Sequence, residues 1–252
     1  MAPSHADLRV ILIQARNGED MEYQEQQCFL ERCRLSLEQM TCINVARTDR
    51  LPDVNALLDA HDVLFIGGAG EYSITQDYPW MPYLLQLVQR ANDLSFPTFG
   101  SCWGHQLIAR ALGGTVIHDH ERAELGCHHV ELTDEGLNDA LFKDFPPSFY
   151  ANMGHHDRVS RLPANGVELA NNASQPNEAF RIKDKPIFGT QFHSELDAHR
   201  ERERLIRYRT YYKDQLHSEE VFQSIIHGLQ ETTEVDHLMF DFLTKFAVRN
   251  ND

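Results

Sequence analysis

The sequence predicts an α/β fold with a mainly parallel central sheet flanked by helices and a smaller antiparallel sheet. Continuous apolar runs of strand length, such as residues 8–14 (LRVILIQ) and 62–66 (DVLFI), fit strands covered on both faces. Helical patterns separate these runs, and an alternation of strand and helix gives a parallel sheet. Beyond residue 115 the segments become shorter and alternate in polarity, which fits antiparallel strands. A chain of 252 residues with 42% hydrophobic content can bury one large core, so one domain spanning 1–252 is expected.

Residues 8–14 form the first strand. Residues 17–39 are charged with apolar punctuation at Phe29, Leu30, Leu35 and Leu37. Their latter part reads as a surface helix packed by one face, with Cys28 and Cys33 serving that packing. Residues 43–46 give a second strand, 54–60 a short helix and 62–66 a third strand. That strand runs into Gly67-Gly68-Ala69-Gly70, where the near absence of side chains lets backbone approach a ligand. An ordinary tight turn has the same composition. Residues 79–91 (PWMPYLLQLVQRA) read as a helix with proline in its first turn.

The stretch FPTFGSCWGHQLIARALGG, residues 96–114, reads as a short apolar strand, a sharp turn at Cys102 and an amphipathic helix stopped by Gly113-Gly114. A cysteine at such a corner is held out of the sheet, and the positive end of the helix favours the thiolate. The backbone N–H of Trp103 would point at an oxyanion formed there. Gly100, Ser101 and Gly104 supply the room a tight elbow needs. A buried, inert cysteine at a helix start is the competing reading.

After the elbow helix, 115–118 starts a region richer in short, alternating segments, 121–126 reads as a loop over the site, and 128–132 and 148–151 fit antiparallel strands. Three more strands fit 167–171, 178–181 and 187–191. The last leads into GTQFHSE, where His193 and Glu195 stand two apart and project to one side if extended geometry continues. A cysteine nucleophile needs a base, and the base imidazole needs a partner that fixes its tautomer. His193 fits the first role and Glu195 the second, although two incidental polar residues at a strand end would look the same.

GSCWGHQ resembles the nucleophile elbow G-x-C-x-G-H-Q of class I glutamine amidotransferases, and GTQFHSE resembles their closing G-x-Q-F-H-P-E with Ser194 in place of proline. Glycine loop, cysteine elbow and H-x-E occur in the family's order. The resemblance covers roughly residues 8–195 and is nearest to free-standing domains similar to the amidotransferase part of GMP synthetase. It implies a flavodoxin-like α/β fold and a Cys-His-Glu site made of Cys102, His193 and Glu195. It also implies a second oxyanion N–H in the glycine loop, assigned to Gly68 beside Trp103, although the family often has proline where Ala69 stands. Gln106 would help hold the substrate. The segment 153–163 (MGHHDRVSRLP) resembles the family's S/G-H-x-D stretch beside the glutamine pocket, and His156 is expected to line that pocket or pack beneath it.

The function so implied is hydrolysis of a γ-glutamyl amide through a cysteine thioester, releasing glutamate and ammonia, with no cofactor. No acceptor-binding domain is visible, so an ammonia-accepting synthetase partner is expected if the ammonia is transferred. A γ-glutamyl peptidase would use the same site. A non-catalytic regulatory module would not need an intact Cys102, His193 and Glu195, and a redox sensor built on Cys102 would give Glu195 no necessary role.

A net charge of −15 disfavours nucleic acid and anionic membrane surfaces as partners. No apolar run approaches the roughly 18 residues of a membrane span, the start lacks a signal-peptide core, and five cysteines without C-x-x-C spacing fit reduced thiols. A cytoplasmic location is therefore expected. The 14 histidines include adjacent pairs, but neighbours on a strand face opposite sides and no H-x-x-x-H accompanies them, so no metal is expected. Residues 199–252 read as a helical insertion and tail. Within 199–232, which departs from the family's minimal pattern, Leu205, Ile206, Tyr208, Tyr211 and Tyr212 either pack a helix on the domain or form a docking surface.

Overall fold

The computed structural model describes residues 4–213, 216 and 218–248. The first half alternates strand and helix: β1 (Val10–Gln14), α1 (Glu19–Cys33), β2 (Met40–Asn44), α2 (Val54–Asp59), β3 (Val63–Ile66), α3 (Met81–Leu94), β4 (Thr98–Ser101) and α4 (Trp103–Ala111). The second half is richer in strands: β5 (Thr115–His118), β6 (Glu124–Leu132), the short α5 (Asp134–Leu137), β7 (Ser148–His155), β8 (Asp157–Arg161), β9 (Gly166–Asn171), β10 (Ala179–Ile182) and β11 (Ile187–Thr190). Three helices follow, α6 (Ala198–Arg207), α7 (Glu219–Gly228) and α8 (Leu238–Phe246). Local signals set several boundaries. The Asp53 carboxylate accepts from the Ala56 N–H and caps α2, and α3 carries Pro82 in its first turn.

Nine strands form one sheet in the order β2-β1-β3-β4-β11-β10-β9-β6-β7. The five from β2 to β11 run parallel, and the pairings from β11 through β7 are antiparallel. Strands β5 and β8 make a separate antiparallel pair. The expected α/β architecture, a central parallel sheet flanked by helices with a smaller antiparallel sheet, is thus what the chain adopts, and the central sheet is mixed because it continues into antiparallel strands beyond β11. Side chains alternate across the parallel strands. Val10, Leu12, Val63 and Phe65 face a core shared with α1 and α8, whereas Ile11, Ile13, Leu64 and Ile66 face one shared with α2, α3 and α4.

Three elements differ from expectation. The first helix occupies the earlier part of 17–39, not the later. Glu19, Asp20 and Glu22 suit its positive end, and its inward face includes the buried polar residues Gln24 and Glu25, which break the apolar stripe. The second strand begins at the buried Met40. Residues 124–126 belong to β6, not to a loop over the site, because Glu124 is buried against His155 rather than solvated.

Helix α8 is part of the core. The Phe242 ring lies 6.0 Å from that of Phe65, 5.4 Å from Phe99 and 5.9 Å from Phe188. Helices α6 and α7 close a third cluster with Met21, which includes Leu205, Tyr208, Tyr212, Phe222 and Ile226. Of the five docking candidates, Leu205, Tyr208 and Tyr212 are therefore buried in packing, while Ile206 and Tyr211 are exposed. Residues 214, 215, 217 and 249–252 of the expected helical segment lie outside the described residues. Among the described residues, no helix is long and apolar enough to cross a membrane.

Candidate active site

Cys102 joins β4 to α4 with φ +50° and ψ −99°, a conformation L-residues rarely adopt. Its N–H donates to Thr190 O at 2.8 Å, and its carbonyl accepts from the Gln106 N–H at 3.2 Å. The helix lies directly on the strands. A Cβ on Gly104 would stand 2.2 Å from Ile66 O, and one on Gly100 would stand 2.4 Å from the Gly104 carbonyl carbon. The small residues at the elbow are thus a packing requirement. Trp103 is the first helical residue, so its N–H has no acceptor within the helix.

Strand β11 ends at Thr190, and the chain then turns until the His193 N–H donates to Asn152 O at 3.0 Å. His193 and Glu195 meet even though the extended geometry does not continue: His193 Nδ1 lies 2.6 Å from Glu195 Oε1. The other carboxylate oxygen accepts from Ser101 Oγ at 2.8 Å, and Arg204 Nη1 stands 3.3 Å from Glu195 Oε1. Burial opposes charge on His193. The Glu195 carboxylate and the hydrogen-bonded Cys102 outweigh it and hold the imidazole well above its ordinary pKa. Burial likewise pushes Glu195 up, but His193, Arg204 and Ser101 bring it down to about 2. The arrangement is a buried ion pair set against the cysteine elbow, and it brings Cys102, His193 and Glu195 together.

The glycine loop holds a different relationship from the expected one. The Gly68 N–H donates to Glu25 Oε1 at 3.0 Å, so it is engaged by a carboxylate from α1. Glu25 is itself held by Arg16 Nη2 at 2.6 Å and by Gln14 Nε2 at 2.8 Å. A Cβ on Gly67 would meet the same carboxylate at 2.6 Å. The next amide, that of Ala69, has no acceptor among the described residues, and Ala69 lines the pocket.

A pocket of about 300 Å³ opens at Cys102 and Trp103, with Tyr72, Gln106, His156 and Tyr212 among its walls. His156 lines it. Gln106 also lines it but works as a strut: its Nε2 donates to Asp157 O at 2.5 Å and to Gln191 Oε1 at 3.1 Å. Gln191 in turn places its Nε2 3.6 Å from Cys102 Sγ. Sequence reasoning missed Gln191, whose signal was its place in GTQFHSE. It also missed Arg16, Glu25 and Arg204, which carry no local signal because each pairs with a residue of a different element. The pocket rim further gathers His118 and His120, two residues apart, with His156 from the junction of β7 and β8.

The model of the family described as glutamine amidotransferase class-I matches residues 27–211, and the chain belongs to that family. Among its relatives, a subunit of the glutamine-hydrolyzing GMP synthase of Sulfolobus acidocaldarius is 34% identical over 143 residues, which are 57% of this chain and 71% of that protein. The corresponding protein of Pyrococcus abyssi is 36% identical over 116 residues, 46% of this chain, and the match spans only 59% of the relative's length. A glutamine amidotransferase structure from Thermotoga maritima superposes with a TM-score of 0.75 at 21% identity, covering 96% of this chain and 99% of that one. At that identity the likeness is one of fold, and its coverage takes in most of the helices beyond residue 195.

Proposed function

We propose that this protein hydrolyses the side-chain amide of glutamine through a thioester on Cys102. The observation that carries the reading is the buried His193–Glu195 pair facing the Cys102 elbow. Cys102 Sγ attacks the amide carbon, and His193, poised as the charged form, gives its proton to the departing ammonia. Glu195 keeps the imidazole oriented without exchanging protons. The oxyanion takes the Trp103 N–H and a glycine-loop amide. Ala69 suits that second role better than Gly68, whose N–H is occupied by Glu25. Water, activated by the neutral His193, then releases glutamate.

The relatives named as subunits of a glutamine-hydrolyzing GMP synthase support a separate synthetase as the ammonia acceptor. The test is to incubate purified protein with glutamine and with a panel of γ-glutamyl peptides, with and without candidate synthetase proteins, and to measure glutamate release. Preference for glutamine, rising when the acceptor is present, is the expected result. Release from peptides alone would move the assignment to a γ-glutamyl peptidase, and no release under any condition would sink it.

A further inference from the structure

We propose that His118, His120 and His156 form a binding site for one divalent transition-metal ion of the zinc class at the rim of the pocket. The three come from two stretches of chain: His118 ends β5 with His120 two residues on, and His156 sits between β7 and β8. One ring nitrogen of each lies within 4.8 Å of the others. Imidazole nitrogen is a favoured ligand for zinc, copper and nickel, and a set of three leaves at least one position for water or an anionic group.

His118 is prepared as a ligand. Its Nδ1 lies 2.5 Å from Asp157 Oδ1. Asp157 is buried, and its other oxygen accepts from Ser73 Oγ at 2.6 Å and from the Ile74 N–H at 2.8 Å. A carboxylate fixed in this way keeps the proton on Nδ1 and leaves the Nε2 lone pair to the ion, as in carboxylate–histidine–metal sites. That Nε2 stands 2.8 Å from His120 Nε2. Two nitrogens each about 2.0–2.1 Å from one ion are about 2.9 Å apart at a right angle and about 3.4 Å apart at the tetrahedral angle. The observed spacing thus matches an octahedral edge, and an opening of about half an ångström reaches the tetrahedral one. The rings of His118 and His156 are 5.5 Å apart and those of His120 and His156 5.3 Å apart, so the third ring needs only a side-chain rotation to close the set. His118 and His120 are exposed, which gives the ion a path from solvent.

The test uses the full chain prepared without a histidine tag and carrying Cys102→Ser, so that the Cys102–His193 pair supplies no thiolate and no turnover is needed. Zn²⁺ uptake is measured by equilibrium dialysis, and Co²⁺ substitution reports the ligand type by visible absorption. One Zn²⁺ per chain is expected, with a nitrogen–oxygen Co²⁺ spectrum free of thiolate charge-transfer bands. His118→Ala and His120→Ala should each weaken binding by at least about tenfold, and Asp157→Asn by about 10- to 100-fold. Melting curves in metal-free buffer check that the variants fold, with His120→Gln standing in if His120→Ala does not. Failure to take up Zn²⁺, uptake undiminished in both histidine variants, or a thiolate spectrum would each overturn the proposal. None of these outcomes bears on glutamine hydrolysis, which the Cys102→Ser protein does not perform.

Discussion

Arg204 places its Nη1 3.3 Å from Glu195 Oε1, so the carboxylate that hydrogen-bonds His193 is held by a guanidinium from α6, beyond the H-x-E motif. The same side chain donates through Nε to Gln24 Oε1 at 2.9 Å and lies 3.8 Å from Glu25, tying the site to α1. In the proposed reaction Arg204 would act through Glu195, as a positioning residue. Arg204→Met should destabilise the fold by on the order of 3 kcal/mol, because it leaves buried carboxylates less compensated. It should also lower kcat more than it changes KM and move the acid limb of the pH profile upward, since Arg204 helps keep Glu195 ionised. A kcat and acid limb that stay at wild-type values would confine Arg204 to packing.

Replacing Cys102 by Ala should abolish thioester formation and leave the fold intact. The expected loss in turnover is at least roughly 10³-fold, as for nucleophiles that act as a unit with their base. Intact-mass detection of a glutamyl adduct on Cys28, Cys33, Cys42 or Cys127 would reassign the nucleophile.

His193→Ala should be nearly as damaging as loss of the cysteine, whereas Glu195→Gln should be milder, because the carboxylate orients the imidazole without exchanging protons. Near-normal glutamate release by His193→Ala, together with its loss in His156→Ala, would place the base elsewhere.

Acid stability follows from the lowered carboxylates. Glu195 and Glu124 are each held at about 2 against an ordinary 4.5, Glu124 because His155 and Gln175 outweigh its burial. A depressed carboxylate stabilises the fold above its unfolded pKa and loses that contribution as pH falls through the folded one. Stability should therefore drop between about pH 4.5 and 2, by on the order of 3 kcal/mol per group. His193 has the opposite sign: its raised pKa adds stability at low pH that is lost as pH rises through the folded value. Chemical denaturation at a series of pH values, for wild type and Glu124→Gln, checks this. A Glu124→Gln protein with an acid-loss slope equal to that of wild type would show that the Glu124 contribution is absent.

The elbow tolerates no side chain at Gly104. Gly104→Ala, with its Cβ against Ile66 O, should cost about 1–3 kcal/mol or more and lower turnover by misplacing Cys102. The urea midpoint and the rate of glutamate release are the readouts, and a wild-type midpoint would mean that α4 shifts freely over β3.

The parts of this protein that were legible in the sequence are those written in local patterns. The runs around Val10 and Val63, the glycines flanking Cys102 and the His193–Glu195 spacing each announce themselves within a few residues. What stayed hidden depends on residues distant in sequence. Glu25 sits in a charged helix and gave no sign that it engages the Gly68 amide, and Arg204 looked like one charge among many in RERERLIR. Glu124 misled for a related reason: a carboxylate reads as solvated until the fold supplies His155 and Gln175 as partners. The start of β6 was lost with it.

The position of Phe242 among Phe65, Phe99 and Phe188 also bears on how the molecule assembles. These rings come from β3, β4, β11 and α8, elements spread over most of the chain, and contacts of such long sequence separation slow the search for the native state. A nascent chain that has made the parallel strands but not yet α8 presents an uncovered aromatic face on its sheet. Such a face invites association with other chains, which makes the docking of α8 the step that ends the window for aggregation.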